Sequence, residues 1–131
     1  MAERRFQTFA EFWPFYVAQH SKRLNRALHF IGSALGLAAL VALVVLWRAF
    51  PMNLLFVPAG LVVGYGFAWV GHFVVQKNRP ATFLYPWWSF VGDWKMFVYI
   101  LMFRMGGEVE RVCGGRNVPA HDVERALTHA A

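Results

Sequence analysis

Two long apolar runs, separated by a short interruption, restrict the fold of this chain more than any other feature. Residues 30–47 contain no charged side chain, and residues 54–75 contain only His72 as a ready charge carrier. A helix that crosses a bilayer needs about 20 apolar residues, so both runs approach or reach that length. The interruption contains residues that favour a turn: Arg48, Pro51 and Asn53. The pattern predicts a transmembrane helical hairpin, with spans at about 30–47 and 54–75.

The composition supports an all-α integral membrane protein. Of the 131 residues, 58% are hydrophobic and 15% are charged, against roughly 45–50% and about 25% in soluble domains. The first 28 residues are mixed and aromatic, unlike a cleaved signal peptide, so we expect the first run to remain as a span. The net charge of +6 suits membrane lipids with anionic headgroups, whereas no nucleic-acid-binding motif is present.

Two further segments flank the hairpin. Thr8 and Glu11 have capping-box spacing, and aromatic residues follow at helical intervals, so we predict an N-terminal amphipathic helix against the hairpin. The apolar segment 87–105 is interrupted by charged residues, which favours a re-entrant or interfacial helix over a third span. We therefore predict one helical membrane domain over 1–105 and a polar cytoplasmic tail over 106–131, with solvated histidines at 121 and 129.

Basic residues predict the orientation of the hairpin. Several lysines and arginines precede the first span, two follow the second, and Arg48 alone lies in the turn. The positive-inside bias then places both hairpin ends in the cytoplasm. The composition favours a bacterial inner membrane, with the endoplasmic reticulum as the eukaryotic equivalent. A homo-oligomer stays open.

Three histidines are placed where the hairpin would bring them together. His29 lies at the start of the first run and His72 near the end of the second, so both lie at one membrane surface. His20 lies nine residues before His29, about 180° around a continuous helix, so convergence requires a break. Ser21-Lys22 is a suitable place for it. The pattern predicts a metal site, although each imidazole alone could be an interfacial hydrogen-bonding group.

Several separated motifs resemble one family of small membrane proteins in the expected order. The matching stretches are His20-x4-Asn25-Arg26-x-x-His29-Phe30-Ile31-Gly32, Gly71-His72-Phe73, Asn78-Arg79-Pro80-Ala81-Thr82-Phe83, Tyr85-Pro86 and Gly92-Asp93. The resemblance covers roughly residues 8 to 105. The best understood relatives are fungal endoplasmic-reticulum dioxygenases that use ferrous iron to shorten 2-hydroxy fatty acids by one carbon, the α-oxidation step of phytosphingosine breakdown.

The resemblance implies an Fe²⁺ site built from His20, His29 and His72. Its substrates would be a long-chain 2-hydroxy fatty acid and O2. Relatives usually have Gly-His-x-x-x-Glu, whereas this chain has Gln76 at the last position, a weaker candidate ligand because an amide is uncharged.

Other polar residues are candidates for the remaining roles. Arg26 and Arg79 could hold the substrate carboxylate, since a guanidinium offers a bidentate fork, or could instead anchor in phospholipid headgroups. Asp93 could supply a carboxylate at the metal, or could pair with Lys95 or Arg79.

Two other classes of protein stay open on the sequence. A non-catalytic membrane scaffold or assembly protein would use the histidines only for packing. A bis-histidine haem protein would use His29 and His72 as axial ligands.

Overall fold

The described part of the chain folds into five α-helices joined by short turns. The computed structural model describes residues 6–118, and within that range the fold is helical without strands. The helices are α1 (Phe9–Gln19), α2 (Arg23–Val45), α3 (Phe56–Val70), α4 (Pro86–Leu101) and α5 (Met105–Cys113). A π-helical turn, Gly71–Gln76, extends α3, and 3-10 turns lie at Trp47–Ala49, Met52–Leu55 and Ala81–Phe83. The predicted solvated histidines, His121 and His129, lie outside the described residues.

Thr8 begins α1 as the sequence predicted. Its hydroxyl accepts a hydrogen bond from the Glu11 amide at 3.2 Å, and the Glu11 carboxylate accepts one from the Gln7 amide at 2.9 Å. Together these contacts satisfy amide groups that have no partner within the helix.

The predicted hairpin consists of α2 and the continuous helical segment Met52–Gln76. Both are long and apolar enough to cross a membrane. The first helix begins at Arg23, several residues before the expected start of the span, so its polar first turns carry Asn25, Arg26 and His29. Many apolar side chains on the hairpin are exposed, for example Val44 at 67% and Val45 at 68%. Such a surface suits contact with lipid.

Glycines allow α2 and α3 to approach closely. A Cβ atom added at Gly32 would lie 2.7 Å from the Gly64 carbonyl oxygen, and one added at Gly60 would lie 2.9 Å from the Cβ of Ala39. Gly36 lies against Gly60 one turn further along. Small residues spaced four apart on two helices permit this backbone contact. The contact fixes the relative height of the helices, and hence of the histidines at their ends.

The main core of the described residues lies beside the hairpin. It is formed by α1, α4 and α5, with Phe12, Tyr16, Met96 and Val109 fully buried. We expected α1 to lie against the hairpin, but it packs mainly between α4 and α5. The reason is the aromatic stripe of α1, which contacts rings on α4 such as Trp88 at 5.6 Å from Phe12.

The segment that follows residue 86 divides into two helices. The first, α4, has 16 residues, fewer than the about 20 that a span needs, and it reaches the hairpin where Phe97 stacks on Phe30 at 4.9 Å. The second, α5, lies largely within the predicted tail, yet its residues Met105 and Val109 are buried. The chain as far as Val118 therefore contacts the helical domain, and the cytoplasmic location of the tail stays a prediction.

Replacing Gly32 with alanine is expected to destabilise the hairpin. The new methyl group would press on the Gly64 carbonyl and on Phe67, and such overpacking costs about 1–3 kcal/mol. Denaturant titration in detergent micelles would measure the loss. Gly66→Ala is the matched control, because a Cβ there meets nothing within 4 Å; equal stability of the two variants would contradict the close contact.

Candidate metal centre

A bend between α1 and α2 brings the three histidines together. His20 follows the last residue of α1, and α2 begins at Arg23, so the chain turns at Ser21-Lys22 as predicted. His29 lies on the second turn of α2, and His72 lies in the π-helical turn that ends the second half of the hairpin. All three side chains are buried, at 1–4% exposed.

The ring nitrogens of the three imidazoles are close enough to share one ion. One nitrogen from each of His20, His29 and His72 lies within 4.8 Å of the other two, a group that could hold a metal ion. The Nε2 atoms of His20 and His29 are 3.2 Å apart. Imidazole nitrogens bind zinc at about 2.1 Å in tetrahedral geometry, which places neighbouring ligand nitrogens about 3.4 Å apart. The distance between His20 and His29 therefore fits two ligands of one first-row metal ion.

A hydrogen bond at Nδ1 of each imidazole ring determines which ring nitrogen is available to bind a metal. Nδ1 of His20 lies 2.6 Å from the Tyr16 carbonyl, that of His29 lies 3.0 Å from the Asn25 carbonyl, and that of His72 lies 2.7 Å from Asn78 Oδ1. These oxygens can only accept, so each Nδ1 carries the proton. Each Nε2 then presents a lone pair, which is the tautomer a metal requires.

Burial favours the neutral form of His20, which lies outside the two apolar helices of the hairpin. It lowers the pKa of His20 well below its usual range, and the neighbouring imidazoles add to the effect. Neutral imidazole is the metal-binding form, so His20 does not need to lose a proton at neutral pH.

The π-helical turn positions His72 and its supporting amide. The turn ends at Lys77, whose φ of 57° places it in the left-handed region, and the Asn78 amide then donates to the His72 carbonyl at 3.0 Å. The side-chain nitrogen of Asn78 donates to the Gln19 carbonyl at 3.0 Å, which turns its oxygen towards His72. One asparagine thus links the end of α1 to a candidate ligand.

Gln76 lies in a polar layer beside the histidines, where its side chain has three hydrogen-bond partners. Its oxygen accepts from the Lys22 amide at 3.1 Å and from the Asn25 side chain at 3.2 Å, and its nitrogen donates to the Ser21 hydroxyl at 2.6 Å. Gly71 is required here because a Cβ would overlap the Asn25 oxygen. Through these contacts, the side chain of Gln76 holds the α1–α2 bend against the π-helical turn.

The two predicted carboxylate-binding arginines occupy different places. Arg26 is 5% exposed, and its guanidinium donates to the carbonyls of His20 and Arg116, both at 2.6 Å. It therefore holds backbone around the site. Arg79 is exposed, with its guanidinium 5.0 Å from the Phe83 ring, and it lines neither of the two cavities described below.

Asp93 is paired with a tyrosine beside the histidines. The hydroxyl of Tyr16 donates to the Asp93 carboxylate, and the Tyr16 ring stacks on His20 with 4.1 Å between centroids. Lys95, its sequence-predicted alternative partner, instead lies over the Trp13 ring at 4.1 Å. Burial raises the pKa of Asp93 to about 7, although the Tyr16 hydrogen bond opposes this shift.

Two adjoining cavities meet at His29 and Asp93. A chamber of about 10 Å³ is bounded by all three histidines and by Tyr16, Thr82, Ser89 and Asp93. A groove of about 260 Å³ runs between α2, α3 and α4. Four residues line both: His29, Tyr65, Ala68 and Asp93. The arrangement joins a small polar chamber to a larger apolar groove.

Comparison with known protein families identifies the family of this chain. The family described as 2-hydroxy-palmitic acid dioxygenase Mpo1-like matches residues 6–105. The chain belongs to this family. The name of the Mpo1-like family indicates dioxygenase activity and a 2-hydroxy fatty acid. No curated protein and no solved structure matches the chain.

Several residues around the Mpo1-like site were not singled out by the sequence. Tyr16 belongs to the aromatic residues that follow Thr8 at helical intervals, and Asn78 is part of a matching motif but had no separate role assigned to it. Ser89 lies within an apolar segment, yet it is 3% exposed and its hydroxyl has no hydrogen-bond partner among the described residues. A polar residue amid aromatic neighbours was the available signal for Ser89.

We expect Asn78→Ala to weaken metal binding by about 10- to 100-fold, because it removes the oxygen that orients His72. Isothermal titration of the detergent-purified protein with Fe²⁺ or Zn²⁺ would measure the change. Asn53→Ala is the matched control, since Asn53 is a buried amide at the other end of the hairpin that donates to the Leu43 carbonyl. Equal metal affinity in both variants would contradict the role of Asn78.

Proposed function

We propose that this protein is an iron(II)-dependent dioxygenase that shortens long-chain 2-hydroxy fatty acids by one carbon. The observation that carries the proposal is the convergence of three Nε2 lone pairs from His20, His29 and His72. Three neutral imidazoles suit a divalent first-row metal and leave positions for further ligands. When bound, ferrous iron would supply the activation of dioxygen.

The proposed overall reaction balances with dioxygen as the only oxidant. The bond between C1 and C2 breaks, C1 leaves as carbon dioxide, and C2 becomes the carboxyl carbon of the shortened acid. This change removes four electrons from the 2-hydroxy acid, and one dioxygen accepts them, with one water formed. No separate reductant is needed.

Asp93 is the residue we assign to the 2-hydroxyl group of the substrate. It lines both the chamber and the groove, and its hydrogen bond to Tyr16 fixes the orientation of its carboxyl group. A pKa raised to about 7 suits a group that exchanges a proton near neutral pH. We assign Asp93 as the acid or base of the site rather than as a metal ligand.

The arginines receive separate roles in this proposal. Arg26 is a positioning residue, because its fork is occupied by the carbonyls of His20 and Arg116. Arg79 lies on the exposed surface beyond Phe83, where it could attract either the substrate carboxylate or phospholipid headgroups before the acid enters.

The proposed location is a membrane, with both ends of the hairpin in the cytoplasm. The basic flanks of the two apolar helices support this orientation through the positive-inside bias. A bacterial inner membrane is our first choice, and the endoplasmic reticulum is the eukaryotic equivalent.

The site geometry disfavours a haem protein. The chamber between the histidines measures about 10 Å³, enough for about one water-sized group and far too small for a porphyrin. His20 also lies 4.7 Å from His72 between ring centroids, so a third imidazole crowds the proposed axial pair. A non-catalytic scaffold is the remaining alternative, and an assay for enzyme activity distinguishes it from the dioxygenase.

The first experiment measures metal and product together. Protein purified in detergent and loaded anaerobically with Fe²⁺ should bind near-stoichiometric iron and convert 2-hydroxypalmitate with dioxygen to the acid one carbon shorter. His20→Ala, His29→Ala and His72→Ala should each lose iron and activity. A wild-type protein that binds no metal and forms no product would favour the scaffold class.

Asp93→Asn should separate chemistry from metal binding. We expect kcat to fall by about 10²- to 10⁴-fold, the usual contribution of a positioned acid or base, while iron binding is retained. The control is Glu110→Gln, an exposed carboxylate paired with Arg116. Loss of iron from Asp93→Asn would identify Asp93 as a ligand instead and contradict the assigned role.

Orientation can be tested by labelling single cysteines. In a Cys113→Ser background, Arg48→Cys in the hairpin turn should react with a membrane-impermeant maleimide added outside intact cells. Arg23→Cys at the start of α2 should react only after permeabilisation. Both parent side chains are exposed, so the reverse pattern would invert the proposed topology.

A further inference from the structure

The groove beside the histidines has a polar end and an apolar end. Near the chamber it is lined by His29, Ser33, Tyr65 and Asp93. Further along α2 and α3 its lining is apolar: Gly36, Leu40, Phe56, Val57, Gly60 and Leu61. A ligand that fills this groove must therefore be amphipathic, with its polar group at the histidines.

The dimensions of the groove fit one acyl chain. His29 and Leu40 are separated by 11 residues of α2, or about 16 Å along the helix. This length is about half of the ~30 Å hydrocarbon core of a bilayer, the depth reached by the lipid chains of one leaflet. The volume of about 260 Å³ lies just below the range of about 300–1,000 Å³ for small-molecule pockets, so it suits one chain rather than a two-chain phospholipid.

A buried hydroxyl at the polar end lacks a partner. Ser89 is 3% exposed, lines the chamber with the histidines and Asp93, and makes no hydrogen bond among residues 6–118. A buried hydroxyl without a partner costs free energy. An oxygen of a bound acid head group would satisfy it.

We propose that the groove binds the acyl chain of a single-chain 2-hydroxy acid and that its length selects the substrate, with Gly36 and Phe56 as the specificity-determining residues. This inference rests on the proposed function for its substrate class. Gly36 leaves the middle of the groove open, and Phe56 lies at the end remote from the histidines. The acyl chain thus occupies a defined site on the protein instead of lying free in the lipid bilayer.

Gly36 accepts an added Cβ atom better than Gly32 does, so it is the position chosen for shortening the groove. A Cβ there would lie 3.8 Å from the Gly60 oxygen, an ordinary contact, whereas one at Gly32 would collide with Gly64. Gly36→Leu would block the groove about 10 Å from His29. Phe56→Ala would extend it. Gly66→Leu is the matched control, because Gly66 lies on α3 outside the groove and a Cβ there meets open space.

The first test compares substrates of different length in competition. Gly36→Leu should lower the ratio of kcat/KM for 2-hydroxypalmitate to that for 2-hydroxydecanoate by at least about tenfold, given what each buried methylene contributes. Phe56→Ala should raise the relative use of 2-hydroxylignocerate. Gly66→Leu should keep the wild-type ratios. Equal profiles for Gly36→Leu and Gly66→Leu would overturn the proposal.

The second test detects binding without turnover. A 2-hydroxypalmitate analogue with a diazirine at the end of its chain should cross-link to Leu40, Phe56 or Val57, and unlabelled 2-hydroxypalmitate should compete. If this labelling occurs without product formation, the groove assignment stands and the proposed activity fails. Labelling of the outward side chain of Val62, which is 72% exposed, without competition would overturn the groove assignment.

Discussion

The site depends on three hydrogen bonds that lie behind the imidazole rings. His20 and His29 each donate to a carbonyl four residues earlier, so the local backbone at the end of α1 and the start of α2 orients those rings. His72 instead relies on Asn78, whose own nitrogen is bound to the Gln19 carbonyl. With all three Nδ1 atoms occupied, the lone pairs converge on one small chamber. Disturbing any of these supports would turn a ring without changing a candidate ligand.

Sequence reasoning predicted the hairpin, the break at Ser21-Lys22 and the meeting of three histidines, because each follows from local rules. Run length and hydropathy identify the two apolar helices, and helical periodicity forces a bend between His20 and His29. The one long-range contact they used, between His29 and His72, follows from the hairpin itself, which returns both of its ends to the same membrane surface. The family match over residues 6–105 agrees with the motifs on which the resemblance was based.

What the sequence did not predict depends on contacts between distant segments. Gln76 became a candidate ligand because it occupies the position where relatives usually have a glutamate, and the sequence did not predict that Ser21, Lys22 and Asn25 would engage its amide across the bend. The π-helical turn changes the usual 3.6-residue register, which a helical projection cannot anticipate. Similarly, α5 contains charged residues that conceal its buried face at Met105 and Val109. Its burial becomes evident only when α1 and α4 are in place.

The position of the groove has a consequence for how this protein would meet its ligand. Leu40, Val57 and Leu61 on its rim are about half exposed, at 55%, 46% and 51%, so in a bilayer the groove would open sideways into the hydrocarbon. A ligand entering by this route is supplied by lateral diffusion, and its effective concentration is a mole fraction in the lipid. Partitioning would then favour long chains before any contact with protein is made. Kinetic constants would accordingly vary with the amount of detergent or lipid present, even at a fixed bulk concentration of acid.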